Sequence, residues 1–221
     1  MALILHIDTA VEGASVCLAR DSMPLKPALN NRQKDQPGWL HTSIHQLLAD
    51  TRLTMKELNA VAVTIGPGSY TGLRVGLSAA KGLCFALDIP LITINTLEMM
   101  AYASRDEQSD ALICPLIDAR RMEVFTAVYN KELKEIVPPT AMILDGTNFD
   151  HLLLDHKMIF SGNGATKLKQ VLSNANAFFS PAAATAEDMV HLAGSHFLQQ
   201  RFANLAYTEP LYLKEFYSPA R

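Results

Sequence analysis

"IGPGSYTGLRVGLSAAKGL" (Ile65–Leu83) decides how this chain is read. The apolar run "NAVAVTI" leads into it, and its second half has the composition of a helix. A strand, a glycine turn and a helix in that order make one unit of an α/β fold. Gly66, Gly68 and Gly72 give G-x-G-x-x-x-G. The dinucleotide fingerprint needs its third glycine one position earlier, where Thr71 stands, and the P-loop pattern with its lysine is absent. What remains is a turn whose backbone N–H groups open a helix, a place that can hold an anion. Ser69 and Thr71 add hydroxyls, either of which can cap the helix, and Arg74 lies one turn in. The plainer reading is a tight turn that only caps its helix. Spacing leaves both open.

The helix behind the turn carries a second pattern. Gly72, Gly76 and Ala80 recur every four residues, flanked by Leu73, Leu77 and Leu83. A glycine inside a helix costs about 1 kcal/mol relative to alanine, so close packing is expected to offset it. The packed element is either another part of this chain or a subunit. Upstream, "KDQPG" (Lys34–Gly38) reads as a break. Leu40, Ile44, Leu47 and Leu48 then follow at i, i+4, i+7 and i+8, the spacing of an amphipathic helix.

Working outward, strands are expected at Ala2–Asp8, Gly13–Ala19 and Pro24–Asn31, and a helical turn near Thr54–Leu58. The glycine helix runs over Thr71–Leu87, followed by a strand at Ile89–Asn95 and a helix at Thr96–Ala103. The polar stretch "SRDEQSD" (Ser104–Asp110) is the expected boundary, giving lobes at 1–104 and 105–221. Beyond it, "ALICPLID" and "MEVFTAVY" read as a hairpin. A strand at Lys157–Ser161, helices at Ala165–Ser173 and Ala186–Gln200, and the irregular "TEPLYLKEF" complete the chain. Strands followed by strand–helix alternation imply mixed sheets with helices on their faces. The first strand of each half ends in an acid, at "HIDTA" (Asp8) and "LIDAR" (Asp118), which suggests two related lobes facing one another. Asp8 and Thr9 either hold a hydrated Mg²⁺ near a nucleotide phosphate or bond their own turn. Asp118 and "SGNGA" (Ser161–Ala165) are their second-lobe counterparts.

Composition excludes several classes. Of 221 residues, 49% are hydrophobic and 19% charged, enough apolar material for a core and too much for disorder. The net charge of −3 shows no basic excess, so a nucleic-acid role is expected to need a partner. Cys17, Cys84 and Cys114 are scattered in apolar runs and read as buried free thiols of a cytoplasmic protein. No basic segment precedes the first apolar run, and no stretch approaches the ~20 residues of a membrane helix. His41 and His45 lie four apart, but no H-E-x-x-H or third ligand accompanies them. No G-x-S-x-G elbow is present, and no nucleophile–base pair stands out.

"LHIDTAVEGASVCLA", "AVTIGPGSYTGLRVGLSAAKGLCFALDIPLITINTLEMMA", "DARRMEVFTAVY", "SGNGA" and "EPLYL" together resemble the TsaB (YeaZ-like) family, in order and over nearly the whole chain. The resemblance implies an α/β, actin/Hsp70/sugar-kinase (ASKHA) fold of two ribonuclease-H-like lobes. It implies a non-catalytic scaffold and activator of the tRNA N6-threonylcarbamoyladenosine transferase complex, which modifies the adenosine 3′ of the anticodon. The partners implied are TsaD, which transfers the group, and the ATPase TsaE. TsaC makes the adenylate separately. Contact with tRNA is indirect, and a homodimer is implied in isolation. TsaD is similar around "VNHMEGH", where this chain has "INTLEMM" (Ile94–Met100), so Thr96 and Met100 replace the two metal-binding histidines. The docking face carried over comprises Leu40, His41, Ile44, Leu48, Gly72, Leu73, Gly76, Leu77, Ala80 and Leu83. Asp8, Thr9, Gly66, Gly68, Ser69 and Thr71 are left as a vestigial or weak phosphate site. No cofactor is required, with weak ATP or ADP and Mg²⁺ placed at the complex interface. The rival readings are a stand-alone actin-like ATP phosphotransferase and a metalloprotease, the latter echoing the older name glycoprotease.

Overall fold

The computed structural model describes residues 2–11, 13–30, 36–106 and 109–214. The chain opens with β1 (Leu3–Asp8), β2 (Ala14–Arg20) and β3 (Met23–Asn30), then α1 (Gln36–Thr51) and a 3-10 turn at Met55–Glu57. β4 (Ala60–Gly66), α2 (Tyr70–Leu87), β5 (Leu91–Asn95) and α3 (Thr96–Ser104) complete the first half. The second half runs β6 (Leu112–Asp118), β7 (Glu123–Tyr129), β8 (Glu135–Ile143), α4 (Asp150–Leu153), β9 (Met158–Ser161), α5 (Ala165–Val171), β10 (Ala177–Phe179) and α6 (Val190–Leu198).

The strands form two five-stranded sheets, ordered β3-β2-β1-β4-β5 and β8-β7-β6-β9-β10. In each, the first strand pairs antiparallel with the second and the second with the third, while the fourth and fifth are added in parallel. The duplicated order and direction make two ribonuclease-H-like units, as the resemblance implied. Both central strands are almost wholly buried, which is why "LILHID" and "LICPLID" read as unbroken apolar runs. His6 lies inside β1 as a core residue. Its Nδ1 is 3.2 Å from the Cys17 carbonyl, and burial lowers its pKa to about 4, so it packs as neutral imidazole. All three thiols are buried, which pushes Cys17 and Cys114 up to about 12 and Cys84 to about 11.

Each half lends a helix to the other. On α3, Leu97, Met100 and Ala101 pack with Ile113, Ile117, Ala127 and Tyr129 of the second sheet. Met189, Leu192 and Ala193, at and in α6, pack with Ile4, Ala60, Ala62, Ile92 and Ile94 of the first. The residues after Ser104 thus pass from one sheet to the other, while the core on either side is shared.

Several elements differ from expectation. α1 begins at Gln36, so Pro37 and Gly38 lie in its first turn, where a missing proline N–H costs nothing. Lys34 and Asp35 of the expected break, Asn31 of the third strand and the last two residues of "TEPLYLKEF" lie outside the described residues. β8, β10 and α4 were not anticipated, and α6 is shorter than the Ala186–Gln200 pattern. β3 is an edge strand that exposes Met23, Leu25 and Leu29, and Pro24 and Pro27 remove two of its N–H donors.

A strap returns from α6 across the first sheet. Ala203 bridges Leu91, and the Leu211 N–H donates to the Ile65 carbonyl at 2.6 Å. Lys81 donates to the carbonyls of Ala206 (3.3 Å) and Thr208 (3.1 Å). Lys214 then reaches Glu123 at the start of β7 in an ion pair.

Candidate functional site

The glycine loop is brought together as expected, but it closes on the chain itself. Ser69 caps α2 by accepting the Gly72 N–H at 3.2 Å, and Thr71 stays exposed. The Ser69 N–H donates to the Ala10 carbonyl at 2.6 Å. The buried Thr9 hydroxyl donates to the Gly72 carbonyl at 2.7 Å. A Cβ at Gly72 would strike the Thr9 carbonyl oxygen, and one at Gly76 the Thr9 hydroxyl, both closer than real Cβ atoms come. The glycines are therefore needed to seat the β1–β2 turn on α2. At the loop's start Gly66 lies against the Leu211 carbonyl, and Gly68 against that of Ala10.

Asp8 completes this arrangement from the end of β1. It is 3% exposed, and its Oδ1 accepts the Thr64 hydroxyl at 2.7 Å and the Ala10 N–H at 3.0 Å. Burial raises its pKa, with a smaller push from the Asp188 charge. The fold family implies Mg²⁺-ATP, but this loop does not fit it: the Thr9 hydroxyl, the Ser69 N–H and one carboxylate oxygen of Asp8 are engaged internally. The vestigial or weak phosphate site expected at Asp8, Thr9, Gly66, Gly68, Ser69 and Thr71 lies in a loop that packs on the β1–β2 turn, with Thr71 exposed.

This has a pH consequence. Folding raises the Asp8 pKa, so the folded state holds the proton more tightly than the unfolded one. The stability this gives is present below the unfolded carboxylate pKa of about 3.9 and is lost as pH rises through the raised folded value. Asp8→Asn keeps the acceptor oxygen and removes the buried charge. Urea denaturation is expected to find Asp8→Asn more stable than wild type at neutral pH, with the gap shrinking toward pH 4. A less stable variant at neutral pH would show that the carboxylate charge itself is needed.

In the second half, Asp118 is exposed and its Oδ1 accepts Lys167 Nζ and the Arg120 N–H, each at 2.6 Å. Partial burial raises its pKa, but these two donors outweigh that and hold it below the usual range. Asn163 of "SGNGA" accepts the Asp118 N–H at 2.8 Å. Val11, Met100, Gly162, Thr166, Lys169 and Phe179 border a cleft of about 780 Å³ between the halves. Thr96 and Met100 are buried on α3. Among the described residues no three His, Cys, Asp or Glu side chains are placed to share a metal ion. No described helix is long and apolar enough to cross a membrane.

The expected docking face needs correction. Leu40, Ile44, Leu48, Gly72, Leu73, Gly76, Leu77 and Ala80 are buried within the chain, so none is free to meet a partner. His41 is exposed and Leu83 half-buried. These two join Arg74, Val75, Ser78, Ala79 and Gly82 around an open groove of about 540 Å³ between α1 and α2. Beside it Phe85 is 82% exposed. A Cβ on Gly82 would meet nothing within 4 Å among the described residues. Arg74 is held from both sides, 3.9 Å from the Tyr70 ring centroid and 3.0 Å from the Tyr212 hydroxyl. Ser78, Gly82 and Ala86 make a second small-residue stripe with the same four-residue spacing as the buried one.

These features define a two-lobed actin-like chain whose glycine loop packs against its own β1–β2 turn. Residues 33–215 match the family described as TsaD, tRNA N6-adenosine threonylcarbamoyltransferase. The tRNA threonylcarbamoyladenosine biosynthesis protein TsaB of Bacillus subtilis (strain 168) is 32% identical over 176 residues, 77% of this chain and 75% of that protein. TsaB of Escherichia coli (strain K12) is 31% identical over 129 residues, 58% of this chain and 55% of that one. A crystal structure of an uncharacterized protein with similarity to peptidase YEAZ from Pseudomonas aeruginosa superposes with a TM-score of 0.86 at 23% identity, covering 97% of this chain and 100% of that one. YeaZ from Pseudomonas aeruginosa gives 0.81 at 23% identity, with 96% and 100% covered. These two show the fold. The chain belongs to the TsaB family.

Proposed function

We propose that this chain is a cytoplasmic, non-catalytic scaffold and activator subunit of a tRNA N6-threonylcarbamoyladenosine transferase complex, and that its α1–α2 groove seats the matching helices of TsaD. Gly82 carries the reading. It weakens α2 by about 1 kcal/mol relative to alanine, and nothing among the described residues occupies the space it leaves. A partner helix that approaches closely would use that space, with Ser78 and Ala79 beside it and Phe85 and Leu83 at the rim. In the absence of TsaD two copies of the chain pair through the same face, and TsaE joins the pair formed with TsaD. The non-catalytic reading is supported by Thr96 and Met100, which are not ligands for a hard metal, and by the inward-turned carboxylate of Asp8.

The test separates docking from folding. Gly82→Ala is expected to raise stability by about 1 kcal/mol in urea denaturation. Gly82→Trp is expected to stay folded and to weaken TsaD pairing at least 100-fold in titration calorimetry, roughly 2.7 kcal/mol. Full-strength pairing by a folded Gly82→Trp protein would sink the assignment. The rival, a stand-alone phosphotransferase, is motivated by Asp8, Asp118 and the glycine loop. It requires tight Mg²⁺-dependent ATP binding with turnover by the isolated chain, and calorimetry is expected to show neither.

A further inference from the structure

The β6–β7 hairpin tip, Ala119–Met122, is an unusual place for arginine. Arg120 and Arg121 stand side by side at φ of 72° and 48°, in the left-handed region that glycine and asparagine enter most easily. The tip is closed by the Glu123 N–H donating to the Arg120 carbonyl and the Ala119 N–H to the Glu123 carbonyl, each at 3.0 Å. Both arginines are exposed, and among the described residues neither guanidinium has an ion-pair or hydrogen-bond partner. The acids flanking the tip are already matched: Lys167 sits 2.6 Å from Asp118, and Lys214 pairs with Glu123. Lys169, two positions along α5 from Lys167, lies on the cleft wall over the Phe179 ring. Arg120, Arg121, Lys167 and Lys214 thus stand against two acids, Asp118 and Glu123, at one loop of a chain whose net charge is −3.

We infer that the Ala119–Met122 tip is a direct contact for the phosphodiester backbone of RNA. The inference rests on the reading that this chain serves a tRNA-modifying complex, and it goes beyond indirect contact through the partner. Two adjacent, unpaired guanidiniums on a hydrogen-bonded tip suit successive backbone phosphates, because each can fork onto phosphate oxygens without first breaking an internal pair. Neutralising phosphates releases counterions, so the contact has a salt signature distinct from shape or apolar docking.

The test replaces both residues by asparagine, Arg120→Asn with Arg121→Asn, which removes the charge and suits the left-handed backbone. The probe is an end-labelled, unmodified tRNA transcript followed by fluorescence anisotropy across a potassium chloride series. It is titrated with the chain alone and with the chain in complex with TsaD. The melting temperature is expected to stay level or rise. Affinity for the transcript is expected to fall about 10-fold at 0.1 M salt, and the slope of log K against log salt to shrink by roughly 1.4 to 1.8. An unchanged slope in both settings overturns the inference. Loss of TsaD pairing by the double variant also overturns it, by assigning the tip to the protein partner. If Gly82→Trp pairs normally while the double variant loses its salt slope, the groove assignment fails and the RNA contact stands.

Discussion

Replacing Gly72 by valine is expected to cost about 4 kcal/mol of stability, a large share of what a chain of this size has. The new Cβ points at the Thr9 carbonyl oxygen, a backbone atom that cannot swing aside. Relief requires the β1–β2 turn to lift from α2, which breaks the Thr9–Gly72 hydrogen bond and bends Ser69 away from Ala10. Overpacking contributes about 1–3 kcal/mol and a buried hydrogen bond left unmade about as much again. Gly76→Leu acts through the same turn, since its Cβ meets the Thr9 hydroxyl. Urea denaturation measures both. A Gly72→Val protein melting within about 2 °C of wild type would remove the packed-turn account. The contrast with Gly82 matters in practice: a bulky residue at Gly72, Gly76 or Ala80 that abolishes a complex reports unfolding, whereas one at Gly82 tests the proposed docking.

Neither half of the chain is expected to fold alone. A fragment of residues 1–104 loses Met189 and Leu192, which cover Ile4, Ile92 and Ile94. A fragment of residues 105–221 loses Leu97 and Met100, which cover Ile113, Ile117 and Tyr129. Each large apolar side chain withdrawn from such a face forfeits about 1.5–3 kcal/mol, and the face it leaves bare adds to that. The loss reaches roughly 5 kcal/mol or more per fragment, comparable to the whole stability of a typical domain. Circular dichroism should show no cooperative melt for either fragment and recovery of one when they are mixed. A sharp independent melt of residues 1–104 would show that the shared core is dispensable.

The strands were legible where they are buried on both faces. β1, β4 and β6 are apolar runs with clear ends, and each of β1 and β6 stops at an acid. β8 was not legible, because "EIVPPTAMI" carries two prolines and lies at an edge, half in solvent. β10 has three residues and no pattern to read. The helix exchange was invisible because periodicity reveals an apolar face without saying which sheet it meets.

The site shows the same limit more sharply. Both small-residue stripes of α2 repeat every four residues, and moving from Gly76 to Ser78 turns the helix by about 200°. Spacing therefore could not tell the stripe that the chain buries from the one that it leaves open. The Thr64 and Ala10 partners of Asp8 come from another strand and a turn, so only the fold could show that its carboxylate faces inward. The cationic tip was hidden by averaging, since a net charge of −3 describes the chain and not the loop.

The strap sets an order on how the molecule can be made. Arg74 and Tyr212 meet across 138 positions, and Ile65 accepts its hydrogen bond from Leu211. A nascent chain leaving a ribosome presents β1 to α2 first, with the underside of the first sheet uncovered and the Ile65 carbonyl unmatched. Met189 and Leu192, and then Leu211, must emerge before that lobe is finished. Until then Ile4, Ile92 and Ile94 are surface that a chaperone could hold. The Arg74–Tyr212 contact beside the α1–α2 groove therefore forms only once both lobes have been made.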